Sequence, residues 1–269
     1  MNKNKDVVQV VVSDFHSGSN YALFPDRFWQ GGRGNNHSPT SQQQRIRKQF
    51  EKFAEIVKEV RKGKQVRLIH NGDAIDGDHH QSGDVCTTNE VEQADIHIEL
   101  MNELQKRIGW QRGDEMYYTR GTPTHVHEKE EYIAEQMNSE VHDILRLETN
   151  GKLSWFAHHG PTAGKGANEG NSVRNWMRNT YFDAIRSGER VPDIVYTGHV
   201  HKPTYSVYSA RCLDYKFHNM HGVILPSWQG KTRYAYKVAS MEINMIGGVF
   251  HVIKADGVVD VPRFEVMDN

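Results

Sequence analysis

The chain has 269 residues, with 33 Lys and Arg against 34 Asp and Glu, 16 His and 2 Cys. No apolar run approaches the ~20 residues of a membrane helix, the apolar stretch near the N-terminus is too short and interrupted for a signal peptide, and the near-zero charge argues against a strongly basic surface for nucleic acid. Cys86 and Cys212 lie far apart without a CxxC pattern, which argues against a disulfide scaffold or a thiolate zinc site. We therefore expect a cytoplasmic protein without membrane contact, in which any metal site is built from imidazoles and carboxylates.

Hydrophobic patterns in the first half of the chain predict alternating strands and helices. The run VVQVVV at 7–12 is typical of a short buried strand. Apolar residues recurring every three or four positions predict a helix over 40–61, ended by Gly63. Between them, the Gly- and aromatic-rich stretch 17–39 predicts a long loop, which in a compact domain is usually functional or mobile. Similar patterns predict strands over 65–70 and 115–120 and helices over 88–108 and 128–137.

The second half of the chain is richer in strands. Strands are predicted over 153–158 and 193–197, on either side of a helix around 171–187. Further short strands are predicted near 205–209, 221–225, 235–243 and 248–254, and the sequence Ile246-Gly247-Gly248 suggests a hairpin turn. Strand–helix alternation followed by a strand-rich tail indicates an α/β fold with a mixed sheet sandwich and helices outside it. One domain over 1–269 is the simplest interpretation.

Carboxylate and imidazole side chains follow five of the predicted strands. The five segments are Asp14-Phe15-His16, Gly72-Asp73-Ala74-Ile75-Asp76, Gly121-Thr122-Pro123-Thr124-His125, His158-His159-Gly160 and Gly198-His199-Val200-His201. Each alone is explained equally well as a turn, a helix cap or a solvated loop. Ligands of open α/β sheets bind outside the carboxyl ends of the strands, so five such segments in succession indicate a metal site at that edge. Imidazole and carboxylate ligands suit Mn, Fe, Ni or Zn, and six strong donors suit two adjacent ions better than one tetrahedral zinc.

Taken together, these motifs resemble those of the calcineurin-like metallophosphoesterase family, whose pattern is D-x-H, G-D-x-x-D, G-N-H-[E/D], an isolated His and G-H-x-H. The resemblance covers residues 8–203. It implies an α/β fold with a two-sheet mixed β-sandwich flanked by helices, a metal site at the C-terminal ends of the strands, and residues 204–269 completing the second sheet.

The resemblance also implies a role for each matching residue. Asp14, His16 and His201 would bind the first ion, Asp73 would bridge both ions, and His159 and His199 would bind the second. His159 is preferred to His158 because the isolated ligand of the family often directly precedes a Gly. His125 would contact the phosphate and assist the leaving group, and Asp76 would orient a ligand imidazole.

One departure from the family pattern concerns the second ion. The Asn that normally binds this ion is missing, and the segment from Gly121 to His125 is two residues longer than G-N-H. Thr124 is the assigned replacement, while Thr122 and His127 remain alternatives. Because a hydroxyl is a weaker neutral ligand than an amide carbonyl, the second ion is expected to be bound less tightly than the first.

The implied activity is phosphoester hydrolysis with two divalent ions, Mn first and Fe, Zn or Ni as alternatives. Two ions lower the pKa of a shared water from about 15.7 towards 7 and neutralise the phosphate oxygens, so that a metal-bound hydroxide attacks phosphorus. A positioned acid such as His125 contributes roughly 10²–10⁴-fold by protonating the departing alkoxide.

The substrate is left open between phosphodiesters and phosphomonoesters, including nucleotides and nucleic acid. Arg and aromatic residues in the loop 17–39 either stack on a base or only cover the edge of the sheet, and the balanced net charge favours small substrates. An alternative from another class is a catalytically weak or inactive scaffold of the same fold that binds a protein partner, and the missing Asn is the one feature in its favour.

Overall fold

The structure is a computed structural model that describes residues 5–27, 29–32, 36–77, 83–123, 128–164, 168–211, 216–233 and 244–268. The strands within these residues are β1 Val7–Val12, β2 Trp29–Gln30, β3 Asn36–His37, β4 Gln65–Asn71, β5 Glu115–Thr119, β6 Val141–His142, β7 Leu145–Thr149, β8 Lys152–Phe156, β9 Ile194–Thr197, β10 Thr204–Arg211, β11 Phe217–Ile224, β12 Met245–Ile253 and β13 Arg263–Asp268. The helices are α1 Ser41–Arg61, α2 Glu90–Ile108, α3 Lys129–Gln136 and α4 Asn171–Ser187. The chain is therefore a mixed α/β protein. Among the described helices, none combines the length and apolar character needed to span a bilayer.

The strands that precede the motifs belong to two mixed sheets. The larger sheet has the strand order β13-β12-β1-β4-β5-β6 and the smaller one has β10-β11-β9-β8-β7, while β2 and β3 pair separately. In the larger sheet β1, β4 and β5 run parallel to one another, with Val7 opposite Gln65 and Arg67 opposite Glu115. In the smaller sheet β8 and β9 are also parallel. The motifs that follow β1, β4 and β5 therefore leave the larger sheet at one edge, as do those that follow β8 and β9 in the smaller sheet.

Three apolar clusters hold the sheets and helices together. One cluster contains residues of both sheets, including Val11 and Ile69 from the larger and Phe156 and Tyr196 from the smaller. A second joins the larger sheet to helices α1, α2 and α3, and a third joins the smaller sheet to α4. Because successive side chains of a strand point to opposite faces, β1 contributes Val8, Val10 and Val12 to the helix-side cluster and Val11 to the cluster shared by the sheets.

The long helices begin and end where local chemistry favours it. Thr40 and Gln43 form a reciprocal capping box at the start of α1. At the start of α2, the side chain of Asn89 accepts a hydrogen bond from the Val91 amide, and Gly109 ends the helix in the left-handed conformation with φ of 73°. Within the described residues, each predicted helix or strand has an observed counterpart, with ends that differ by a few residues. The strand predicted over 235–243 lies in the stretch 234–243, outside the described residues.

The hairpin turn predicted at Ile246-Gly247-Gly248 is wrong, because these residues lie inside strand β12. Instead of forming a turn, the two glycines let strand β12 pack closely against its neighbours α1 and β13. A Cβ on Gly248 would lie 2.6 Å from the ring of Phe53 in α1, and one on Gly247 would collide with the backbone of Glu265 in β13. The strands β2, β3, β6, β7 and β13 were not predicted, and β2 and β3 lie within the stretch 17–39 that the sequence predicted as a loop. Strands β7 and β8 form a hairpin around Asn150 and Gly151, with Thr149 opposite Lys152.

Candidate metal centre

The structure brings six Asp and His residues from four loops together in two groups. The first group is Asp14, His16 and His201, and the second is Asp73, His158 and His199. Within each group, one potential ligand atom per residue lies within 4.8 Å of the others. These residues follow β1, β4, β8 and β9. They therefore come together at the edge where the parallel strands end, which is where the sequence predicts them.

The two groups are adjacent, and the carboxylate of Asp73 lies between them. Its Oδ2 atom is 3.1 Å from Nε2 of His158 and 3.8 Å from Nε2 of His16. On the other side, Nε2 of His201 lies 3.2 Å from Oδ1 of Asp14 and 3.3 Å from Nε2 of His16. Nitrogen and carboxylate lone pairs that converge at these distances repel one another unless a cation or a proton lies between them.

Polar partners on the far side of two imidazoles direct their Nε2 atoms into the site. Nδ1 of His158 is 2.8 Å from the carbonyl oxygen of Asn71, and a carbonyl only accepts, so Nδ1 carries the hydrogen. Nδ1 of His16 lies 3.2 Å from Oδ1 of Asp76. A partner of this kind selects the tautomer and the ring orientation of a metal-binding histidine.

The electrostatics of the site favour a positive charge. Burial opposes ionisation of His158, but the carboxylates of Asp14 and Asp73 outweigh it and raise the pKa of His158 to about 9. Burial alone would raise the pKa of Asp14, yet His158 and His201 outweigh burial and lower it. The same carboxylates that hold a proton on His158 would hold a divalent cation in its place.

Backbone strain is concentrated at these ligands. Seven non-glycine residues of the described chain have a positive φ, and five of them belong to the two groups. They are Asp14 at 53°, His16 at 44°, Asp73 at 53°, His199 at 70° and His201 at 52°. Each costs on the order of 1 kcal/mol or more and persists only where surrounding contacts impose it. Here the amides of Asp14 and His16 donate to the carbonyls of Gly72 and Asp73, each at 3.0 Å.

Three glycines allow the ligand-bearing loops to approach one another. A Cβ on Gly72 would lie 2.5 Å from Nδ1 of His158, one on Gly121 would lie 2.5 Å from Oδ1 of Asp73, and one on Gly198 would lie 2.7 Å from Oδ2 of Asp14. These distances are far below ordinary contact distances. No side chain fits at these three positions without displacing a ligand.

Thr122 occupies the space beside the second group. Its amide donates to Oδ1 of Asp73 at 2.6 Å, and its hydroxyl lies 3.2 Å from Oδ2 of Asp73 and 3.4 Å from Nδ1 of His199. The backbone amide of His199 in turn donates to Oδ1 of Asp14 at 3.1 Å. The predicted ligand Thr124, the predicted acid His125 and the alternative His127 all lie outside the described residues, so of these candidates only Thr122 has a described position.

Of the two adjacent histidines, the structure places His158 in the second group, where the sequence-based assignment had His159. Side chains alternate along a strand, and Ser154, Phe156 and His158 are buried, so the alternation of β8 continues to His158 and directs it inward. The bond from the Gly198 amide to the His158 carbonyl at 2.9 Å extends the pairing of β8 with β9 to this point. His159 is exposed, with its ring 4.7 Å from that of His199.

Two buried side chains that the sequence did not single out support the site from behind. Oε2 of Glu130, at the start of α3, accepts the Gly121 amide at 2.7 Å, and burial, with a smaller contribution from Asp73, raises the pKa of Glu130 to about 8. Nε2 of Gln229 donates to Oδ1 of Asp76 at 2.9 Å. Neither residue belongs to a recognisable motif, so no pattern in the sequence points to them.

No protein-family model and no curated protein matches the chain. Among solved structures, it is similar to the sulfate thiohydrolase SoxB from Thermus thermophilus in complex with glycerol, with 10% sequence identity and a TM-score of 0.43. The match covers 100% of this chain and 57% of the SoxB chain, so the chain spans little more than half the length of that relative. A likeness at this level assigns no activity, and the function must be argued from the chemistry of the site.

Proposed function

We propose that the chain is a metal-dependent phosphoester hydrolase of the calcineurin-like metallophosphoesterase type, with two divalent cations at the edge where the parallel strands end. The observation that carries the proposal is the pair of Asp and His groups placed side by side around the shared carboxylate of Asp73. Two adjacent cations are the usual clamp for displacement at phosphorus. In this proposal the two sheets form the sandwich of the family, within one domain over 1–269.

The proposed ligands follow the geometry of the two groups. Asp14, His16 and His201 hold the first cation, Asp73 contributes to both, and His158 and His199 hold the second. Thr122 takes the place of the missing Asn ligand, because its hydroxyl lies between Asp73 and His199. His158 and Thr122 thus replace His159 and Thr124 in the set implied by the family pattern. Imidazole with carboxylate suits Mn²⁺, which we propose as the first metal to test, with Fe, Zn and Ni as alternatives.

The side chains of the site have distinct roles in this proposal. When bound, the two cations would act as Lewis acids towards the phosphoryl oxygens and supply a nucleophile at neutral pH. The buried Asp73 carboxylate holds their shared position, and the Asn71 carbonyl and the Asp76 carboxylate orient the imidazoles of His158 and His16. The exposed His199 and His159 line the open side, where a phosphoester would enter. His125 remains the proposed leaving-group acid.

A substrate panel tests the activity. Purified protein with Mn²⁺ is offered bis-p-nitrophenyl phosphate, p-nitrophenyl phosphate, cyclic nucleotides and single-stranded DNA. We expect chelator-sensitive turnover of at least one phosphoester, and diester turnover without monoester turnover would define a phosphodiesterase. Mn²⁺ binding with no turnover on any substrate and any metal would contradict the hydrolase and support the partner-binding scaffold.

A matched pair of variants tests the central carboxylate. Asp73→Asn removes the shared negative charge, so we expect it to lose bound metal in elemental analysis as well as turnover. Asp183→Asn makes the same chemical change on the exposed face of α4, where Asp183 pairs with Arg186, and both properties should be retained. An Asp73→Asn protein that still carries two ions would refute the shared position of this carboxylate.

A further inference from the structure

The segment from Ser227 to Gly230 passes directly behind the first ligand group. The amide of Trp228 donates to the carbonyl of Asp14 at 3.0 Å, and the Trp228 carbonyl accepts the amide of Leu23 at 2.9 Å. The indole is fully buried and packs edge-on against three rings, those of Phe15, Phe50 and Phe53. These contacts fix the backbone on either side of Trp228, so the next residue, Gln229, has a defined position relative to the ligands.

Gln229 uses both hydrogens of its side-chain amide close to the site. The residue is 4% exposed, and its Nε2 donates to Oγ of Ser19 at 3.0 Å and to Oδ1 of Asp76 at 2.9 Å. An amide nitrogen carries two hydrogens, so the two bonds form together. Oδ1 of Asp76 is the same oxygen that lies 3.2 Å from Nδ1 of His16. One carboxylate oxygen therefore connects the amide of Gln229 to the imidazole of a proposed ligand.

We propose that Gln229 is a positioning residue for the first cation, acting through Asp76 on His16. The amide of Gln229 holds the Asp76 carboxylate in the orientation that takes the Nδ1 hydrogen of His16, which leaves Nε2 of His16 aimed at the first group. The side chain of Asp76 is 18% exposed, so it borders water, and loss of this donor removes one of the contacts that set its orientation. The inference rests on the proposed metal centre but not on its catalytic activity.

The effect of Gln229 is confined to the first cation. His158 in the second group is oriented by the Asn71 carbonyl, and Asp73 is held by the amide of Thr122. Neither contact involves Asp76 or Gln229. A change at Gln229 therefore weakens one of two binding events and leaves the other in place, which a general loss of stability would not do.

Titration of Mn²⁺ into the metal-free protein, followed by calorimetry, tests this selectivity. Loss of a residue behind a metal ligand typically costs about 10–100-fold in metal affinity, and we expect about tenfold for one ion in Gln229→Leu, with less than about a twofold change for the other. Gln229→Glu keeps the size of the side chain but places a carboxylate against Asp76, and we expect a loss at least as large. The matched control is Gln9→Leu, because Gln9 is fully buried between the sheets and bonded to Ser154 and Tyr196. It should be destabilised without a change in either affinity.

A double-mutant cycle with Asp76→Ala tests the route through Asp76. Residues that act through one another give non-additive effects, so Gln229→Leu should cause no further loss of affinity in the Asp76→Ala background. Equal losses in both backgrounds, or an unchanged affinity in Gln229→Leu and Gln229→Glu, would overturn the inference. Wild-type protein that binds no Mn²⁺ would refute the metal centre and this inference with it. Normal two-ion binding without turnover would refute only the hydrolase.

Discussion

Separate replacement of His158 and His159 by alanine decides which of the two adjacent histidines binds metal. His158 is 1% exposed, its Nε2 lies 3.1 Å from Oδ2 of Asp73, and its Nδ1 is held by the Asn71 carbonyl. His159 lies on the open side. We therefore expect His158→Ala to lose the second cation and His159→Ala to keep it.

The size of the effect follows from linkage between binding and folding. Mn²⁺ at about 100 times the dissociation constant stabilises the folded state by about 2.7 kcal/mol per ion. For a chain of this size each kcal/mol raises Tm by about 2–4 °C, so one ion contributes about 5–11 °C. If removal of the ligand raises the dissociation constant at least about 100-fold, the same Mn²⁺ concentration yields only about 0.4 kcal/mol, or about 1–2 °C.

The assay is the difference in Tm with and without Mn²⁺, measured for each variant separately. This difference is the appropriate quantity because His158→Ala also destabilises the metal-free protein, by leaving a cavity and by removing one of two hydrogen bonds to the Asn71 carbonyl, which keeps the bond from the Ser13 hydroxyl. His159→Ala, at an exposed position, should change the metal-free Tm little. A full Mn²⁺ shift in His158→Ala together with a lost shift in His159→Ala would refute the assignment of His158.

Three further predictions concern residues around the site. Gly121→Ala forces a Cβ to within 2.5 Å of Oδ1 of Asp73, so metal binding in elemental analysis should be lost; Gly63→Ala, where nothing lies within 4 Å, should bind metal normally. Burial raises the pKa of Glu130 from 4.5 to about 8. The neutral carboxyl therefore adds to the free energy of unfolding below pH 4.5, and this free energy declines as the pH rises through 8. Glu130→Gln should remove this decline from urea unfolding curves recorded with chelator between about pH 5 and 8, and an unchanged decline would refute a neutral buried Glu130. His125→Ala should lose about 10²–10⁴-fold on an alkyl phosphodiester but less on bis-p-nitrophenyl phosphate, whereas equal losses would exclude the acid role.

The elements that the sequence predicts are those governed by local periodicity. The apolar run of β1 and the three-to-four spacing of α1 are properties of short segments, and both elements form where expected. The Asn150-Gly151 hairpin was also predictable, since this pair between alternating residues is a strong turn signal. The turn expected at Gly247 and Gly248 shows the opposite case. These glycines are required by close contacts with Glu265 in β13 and Phe53 in α1, which local sequence patterns do not reveal.

The choice between His158 and His159 also depended on information beyond the motif. A Gly following the second histidine favoured His159, whereas the strand alternation through Ser154 and Phe156 directs His158 inward. The alternation is visible in the sequence once the end of β8 is known to pair with β9 as far as Gly198. Motif spacing pointed to the candidate residues, whereas the direction of each side chain depends on the sheet.

The strained backbone of the ligands explains why the site cannot be read from local preferences. Five of the six proposed ligands have a positive φ, which non-glycine residues adopt only when the surrounding structure compels them. For Asp14 and His16 these contacts are hydrogen bonds to the loop after β4. For His199 the contact is the hydrogen bond that its backbone amide donates to the carboxylate of Asp14, 185 positions away. A motif in a short peptide would lack these contacts and relax. The proposed metal centre therefore depends on the two assembled sheets, because the loops that carry it are held in place by the paired strands before them.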